Sequence, residues 1–288
     1  MSSNLIIPYL WNPSTNLKRE TKKPWKKLEV FHENTGPSYL FSRSETNTTG
    51  KFKKNTSFNP SGAITSIIEM DYPDEQTEIT QLLSKRKQVS KDIKKFNSDG
   101  FLQEHIEESF FIGFDVTKYF YNEKNQLIKI FKKEEDGDQI TETFTYKNNK
   151  LFKIETENSD GGSLFRGYIY DKKGLLEKVI RMQNNLVNME VKYFYNAHNQ
   201  IIKEIHESVN RLKDRKNSLM ITEYDYYPNG VLKEENFSTM DSYKGKAKFT
   251  STEYFDEKGL SLKTIENDLV EDTKEIYLYK YETIESNS

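Results

Sequence analysis

The sequence predicts an all-β fold: tandem antiparallel β-hairpins forming a long twisted sheet. Three observations predict it. One turn motif recurs along the chain, the segments beside each turn alternate in polarity, and the apolar material is mostly aromatic. Of 288 residues, 34% are hydrophobic and 31% charged, a thin supply for an ordinary two-layer domain. Eighteen Tyr and eighteen Phe offset the shortage, because each ring buries roughly 150–250 Å². The core should therefore be aromatic.

The turn comes first. An aromatic residue followed four positions later by Gly or Asn opens Phe58-Asn-Pro-Ser-Gly62, Phe96-Asn-Ser-Asp-Gly100, Tyr121-Asn-Glu-Lys-Asn125 and Tyr170-Asp-Lys-Lys-Gly174. It recurs in Tyr195-Asn-Ala-His-Asn199, Tyr226-Tyr-Pro-Asn-Gly230 and Phe255-Asp-Glu-Lys-Gly259. From Phe96 to Tyr195 the period is 24–25 residues, with Tyr146 as an intermediate member. Asn or Asp suits the first position of a type I turn and Pro the second. Closing a hairpin through a bulge puts the fourth residue at positive φ, which Gly and Asn tolerate. Gly62, Gly100, Asn125, Gly174, Asn199, Gly230 and Gly259 are the expected left-handed residues. Tyr146-Lys-Asn-Asn-Lys is one residue shorter; its Asn148-Asn149 suits a two-residue turn with both centres at positive φ.

The flanks read as strands. Met189-x-Val191-x-Tyr193-x-Tyr195 alternates, and alternate side chains share a face. Tyr119 with Tyr121, Tyr168 with Tyr170, Tyr193 with Tyr195, and Tyr224 with Tyr226 thus form one aromatic face, expected to be buried. The opposite face carries Phe120, Ile169, Phe194, Asp225 and Tyr254, a mixed set that is either partly covered or open to a partner.

Residues 56–288 make up the hairpin array, with repeats near 58, 96, 121, 146, 170, 195, 226 and 255. Residues 1–55 lack the motif and read as an N-terminal cap or irregular segment, although Leu28–Phe31 and Tyr39–Phe41 suit strands that start the sheet. Between Asp74 and about residue 95, Ile79, Leu82, Leu83, Val89 and Ile93 fall at loosely helical spacing after Pro73. A short helix is expected there, with an irregular strand pair as the alternative. Two connections are long, Glu207–Ser218 and Ser238–Lys246, and long connections on a regular array are frequent sites of function.

Tyr168-Ile-Tyr-Asp-Lys-Lys-Gly-Leu-Leu176 resembles the YD repeat of Rhs-type bacterial proteins. Tyr226-Tyr-Pro-Asn-Gly-Val-Leu-Lys-Glu-Glu235 is similar to the MORN-variant repeats of some bacterial antitoxin-like proteins. The resemblance spans roughly residues 56–265. It implies a hairpin array and a small immunity- or antitoxin-like binder.

Several chemistries are excluded. The chain has no cysteine, so it forms no disulfide, thiolate metal site or cysteine nucleophile. His32, His105, His198 and His206 are its four histidines, and none stands in a zinc-binding spacing. No nucleophile elbow or phosphate loop occurs. Glu134-Glu-Asp-Gly-Asp138 lacks the spacing of a calcium loop. The expectation is a non-catalytic protein without cofactor or metal.

Charge suggests the partner. The chain carries a formal −2, but residues 1–100 hold 16 basic and 11 acidic residues, leaving 27 and 34 to the rest. An acidic array attracts a basic protein and repels nucleic acid. The expected function is a protein-binding module, an immunity-like protein for a basic, toxin-like partner; a glycan or cell-surface module is the alternative. The expected binding residues are Phe120, Phe194, Asp225 and Tyr254 on the mixed face, with Arg211, Asp214, Asp241 and Tyr243 in the long connections. No apolar run is long enough for a helical membrane span, and the expected location is the cytoplasm.

Overall fold

The computed structural model describes residues 23, 25–33, 38–85, 87–109, 113–159, 161–184, 186–208, 218–241 and 246–283. Among them twenty strands form one sheet. The first ten are β1 (Trp25–Glu33), β2 (Tyr39–Thr46), β3 (Phe52–Phe58), β4 (Ile64–Asp71), β5 (Thr77–Ser84), β6 (Lys87–Phe96), β7 (Leu102–Ser109), β8 (Gly113–Tyr121), β9 (Leu127–Lys133) and β10 (Gln139–Lys147). The rest are β11 (Lys150–Asn158), β12 (Ser163–Tyr170), β13 (Leu176–Gln183), β14 (Leu186–Tyr195), β15 (Ile201–Ser208), β16 (Ser218–Tyr226), β17 (Leu232–Asp241), β18 (Ala247–Phe255), β19 (Ser261–Asp268) and β20 (Thr273–Thr283).

Pairing between chain neighbours is antiparallel, as in β12–β13, β14–β15 and β18–β19. The last strand, β20, also pairs with β1. This corrects the expected open sheet. The ladder returns to its own start and closes as a 20-strand antiparallel β-barrel, which removes the unpaired edges an open array would leave.

The recurring turns behave as their residues dictate. In each, the backbone N–H of the fourth residue donates to the carbonyl of the first: Gly62 to Asn59 at 2.9 Å, Gly174 to Asp171 at 2.9 Å, Asn199 to Asn196 at 3.1 Å. The first side chain completes the loop, as where Asn196 Oδ1 accepts the amides of His198 (2.9 Å) and Gln200 (3.0 Å). Gly62, Gly230, Asn125 and Asn199 have φ of 79°, 83°, 57° and 62°, and Asn148 and Asn149 take 52° and 62°. Tyr227, the residue without a carboxamide or carboxylate, is replaced in that role by Asn229, whose Oδ1 accepts the Val231 amide at 3.0 Å. Asn47–Gly50 forms the same turn, with Gly50 donating to Asn47 at 3.0 Å. It lacks the aromatic of the other turns, because Thr46 stands where that residue would be.

The helix expected from Asp74 to about residue 95 does not form. That stretch is β5 and β6, paired from Thr77↔Lys95 to Ser84↔Lys87 around a tight turn where Lys85 has φ 48°. Neighbouring strands on both sides supply hydrogen bonds and apolar contacts that override a weak helical spacing. Residues 25–58 form β1–β3 of the same sheet.

The described residues divide into two compact units, one within 13–143, 157–161 and 279–288, the other within 144–156 and 162–278. The first packs Trp25, Phe96, Phe101, Leu102 and Leu127, with the Phe101 and Tyr121 rings 5.3 Å apart. The second packs Phe144, Leu151, Ile154, Tyr168, Leu176, Val179, Val191, Tyr193 and Ile201. Ile154, Val179 and Val191 are sealed from solvent, and full burial of such a side chain contributes roughly 1.5–3 kcal/mol. The tyrosine face is the buried one.

Candidate functional site

The mixed face is the exposed one. Phe120 is 45% exposed, Phe194 44% and Ile169 42%. Ile128, Phe152, Ile202 and Leu262 are exposed as well, each the second or third residue of the strand that follows a turn, so apolar side chains recur beside the repeated turns. Ion pairs interrupt this face: Lys178–Glu190 at 2.8 Å and Lys203–Glu223 at 2.7 Å. The lipid-facing band of a membrane barrel is instead continuously apolar.

Asp225 and Tyr254 lie in one transverse row on this face, each opposite Glu234. Asp225 is held by Lys233 at 2.7 Å, and that ammonium keeps its carboxyl below the usual range. Asp241 ends β17, paired with Ser218; its side chain lies outside the described residues. Arg211, Asp214 and Tyr243 lie outside them too, as do 209–217 and 242–245 of the two long connections.

The buried face of β15–β20 carries a constellation that the sequence reading did not single out. Register places Tyr193, Glu204, Thr222, Phe237, Ser251, Glu266 and Glu275 in one row across β14–β20. The next row holds Tyr224, Glu235, Glu253, Thr264 and Tyr277. Glu204, Glu235, Glu253, Glu266 and Glu275 thus share one face. The lysines alternate onto the other, as with Lys203 opposite Glu223 and Lys263 opposite Tyr254. Among the described residues of these rows no lysine or arginine faces the five glutamates.

Glu204 is 6% exposed. Its Oε1 accepts from the Tyr224 hydroxyl at 3.1 Å and its Oε2 lies 3.2 Å from His206 Nε2. Glu253 accepts from Ser261 Oγ at 2.6 Å, and Glu275 from the Tyr277 hydroxyl at 2.7 Å. Glu235 has neither a hydrogen-bonding nor an ionic partner among the described residues. Burial raises its carboxyl above the ordinary value, and the charges of Glu253 and Glu204 raise it further. Burial and Glu204 likewise push the phenols of Tyr195 and Tyr226 up to about 12, and those of Tyr193 and Tyr224 upward. Glu235 thus carries a half-buried carboxylate without a counter-cation among the described residues, a state that buried charge tolerates poorly.

Two other groups bring three metal-capable atoms within 4.8 Å of one another. Asp92, His105 and Glu107 meet on β6 and β7; burial lowers the His105 imidazole. Glu134, Asp136 and Asp138 meet in the β9–β10 turn, where Lys132 bridges Glu134 (2.8 Å) and Asp115 (2.9 Å).

No family model matches the chain, and none of the curated proteins does. Solved structures do resemble it. A porin-like protein from Bacteroides uniformis is 11% identical over 91% of this chain and 98% of its own, with a TM-score of 0.39. A porin-like protein from Bacteroides vulgatus is 8% identical over 89% and 98%, at 0.34. The Photorhabdus luminescens Tc holotoxin pore is 11% identical over 83% of this chain and 17% of its own, at 0.30.

Three expectations are corrected. The YD- and MORN-repeat resemblance does not hold: no family model matches, and the hairpins close into a barrel rather than stacking as a tandem array. A type I turn with a left-handed fourth residue suits any hairpin, so the motif reports local geometry and not ancestry. The immunity-protein reading, which came with that family, falls with it. The cytoplasmic assignment is withdrawn as well. It rested on the lack of a signal-like or membrane-length apolar run; no helix among the described residues is long and apolar enough to cross a membrane, which says nothing of a closed β-barrel, a structure that crosses membranes with strands.

Proposed function

We propose that this chain is a non-catalytic binding protein whose partner is a basic polypeptide, received by the glutamate- and tyrosine-rich face of β15–β20. The segregation of charge across that sheet supports the reading. Five glutamates on one face, with no lysine or arginine among the described residues of their rows, form a field that attracts positive charge over roughly a Debye length. Glu235, Glu253, Glu266 and Glu275 remain partly accessible.

Calorimetric titration with an octalysine peptide tests the reading. Binding should weaken as salt rises, and should fall about ten-fold or more when Glu204, Glu235 and Glu253 are together changed to Gln. Glu223→Gln, on the exposed face, should leave it unchanged. Equal losses from both sets of changes, or no saturable binding at low salt, would reject the proposal.

A further inference from the structure

The hydroxyl of Tyr193 is buried and hydrogen-bonds to nothing among the described residues, although Tyr193 itself is only 5% exposed. It stands directly opposite Glu204 in the β14–β15 register, on the same face, close enough for that carboxylate to raise its phenol. One row on, Glu235 also lacks a partner, between Tyr224 on β16 and Glu253 on β18. A buried hydroxyl and a half-buried carboxylate without partners each cost free energy on the order of 1–3 kcal/mol. Both shortfalls lie around one buried carboxylate, and both are met by a cationic hydrogen-bond donor.

We propose that Tyr193, Glu204 and Glu235 form a site for an alkylammonium group, brought either by a lysine side chain of a bound basic polypeptide or by a free polyamine. The lysine source rests on the proposed function; the polyamine source does not. An ammonium offers three donors, which the Tyr193 oxygen and Glu204, opposite it in register, can share; Glu235, two strands beyond Glu204 and one row on, can hold a second cationic group of the same ligand. The surrounding rings of Tyr193, Tyr224 and Tyr226 suit the alkyl stem and add cation–π attraction. A bare divalent ion fits less well. It gathers oxygens at about 2.0–2.6 Å, whereas the described three-ligand groups that approach such convergence lie elsewhere, at Asp92–His105–Glu107 and Glu134–Asp136–Asp138.

Calorimetry on the full chain, with spermidine, octalysine and Mg²⁺ as separate probes, decides the matter. Spermidine should bind saturably at one site and weaken about ten-fold in Glu235→Gln and several-fold in Tyr193→Phe. Glu223→Gln should not change it, and circular dichroism melts should show each variant folded. Absence of saturable spermidine binding, an equal loss in Glu223→Gln, or Mg²⁺ displacing spermidine at matched concentration would overturn the site. Octalysine binding that ignores both site variants would overturn the site and leave the proposed function standing. Spermidine binding without octalysine binding would keep the site, assign it to free polyamines and end the polypeptide reading.

Discussion

The Tyr195 hydroxyl donates to the backbone carbonyl of Leu176 at 2.7 Å. Leu176 is the first residue of β13, two beyond Gly174 of the preceding turn, and it is 3% exposed. The bond repeats with the same offset of 19 residues from Tyr121 to Leu102 (2.7 Å) and from Tyr170 to Leu151 (2.8 Å). Tyr226 reaches Ile201 at 2.6 Å across a longer connection. At these four turns the tyrosine therefore ties its hairpin to the one before it. Its hydroxyl meets a carbonyl at the point where the bulge shifts the register between Ile169 and Tyr170, or Phe194 and Tyr195.

Tyr195→Phe removes that hydroxyl and keeps the ring. The expected loss is about 1 kcal/mol, the usual worth of such a bond, and up to about 3 if the Leu176 carbonyl is left dry. Urea unfolding measures it. A variant as stable as the parent would show that the bond is matched by water in the unfolded chain.

Gly62 and Gly230 isolate backbone strain. A Cβ on Gly62 meets nothing within 4 Å, and one on Gly230 meets Gln200 Nε2 at 3.4 Å, so neither site penalises volume. Gly62→Val and Gly230→Val should each cost about 1–2 kcal/mol because a β-branched residue resists positive φ. Asn199→Gly, already at φ 62°, should be neutral or slightly stabilising. Melting temperatures that leave both valine variants at the parental value would contradict the turn geometry.

Tyr193 and Phe194 are sequence neighbours on opposite faces. Tyr193→Ala should cost about 3–5 kcal/mol as a large-to-small change in a packed site. Phe194→Ser should cost within about 0.5 kcal/mol, as exposed substitutions do. Equal losses would mean that the exposed face is covered in solution.

Glu235 sets a pH dependence. Its carboxyl is raised in the folded chain by burial and by Glu253 and Glu204, and it faces Tyr224 on β16 and Glu253 on β18. A raised acid favours folding in its neutral form. Its contribution is fully present below the unfolded value of about 4.3 and is lost as pH rises through the folded value. Glu235→Gln should therefore equal or exceed the parent in stability at pH 7, with the difference vanishing near pH 4. A variant less stable than the parent at pH 7 would show that the charged form is compensated.

Much of this fold was legible locally. Asn59, Asn196 and Asp256 bond to amides within four residues, and Gly or Asn at the fourth position answers a steric demand of that same residue, so a short window of sequence suffices. Alternation marked Tyr168 and Tyr193 for the core and set Phe120 and Phe194 on the opposite face, because successive strand side chains point to opposite faces; only the structure decided that this opposite face is exposed. The helical reading of Asp74 to about residue 95 failed because Ile79, Leu82 and Ile93 answer to the strands beside them, which a window does not contain. Closure was equally out of reach: the pairing of β20 with β1 joins segments about 240 residues apart, and no local preference encodes it. The acidic face shows the same division. Lys203 and Glu204 are adjacent letters that read as a balanced pair. The inter-strand register assigns Lys203 to Glu223 on one face and Glu204 to Tyr193 and Thr222 on the other, and a slip of one residue would exchange them. Local sterics wrote the turns and the alternation into the sequence; long-range pairing alone decided the closure and where the unbalanced charge came to rest.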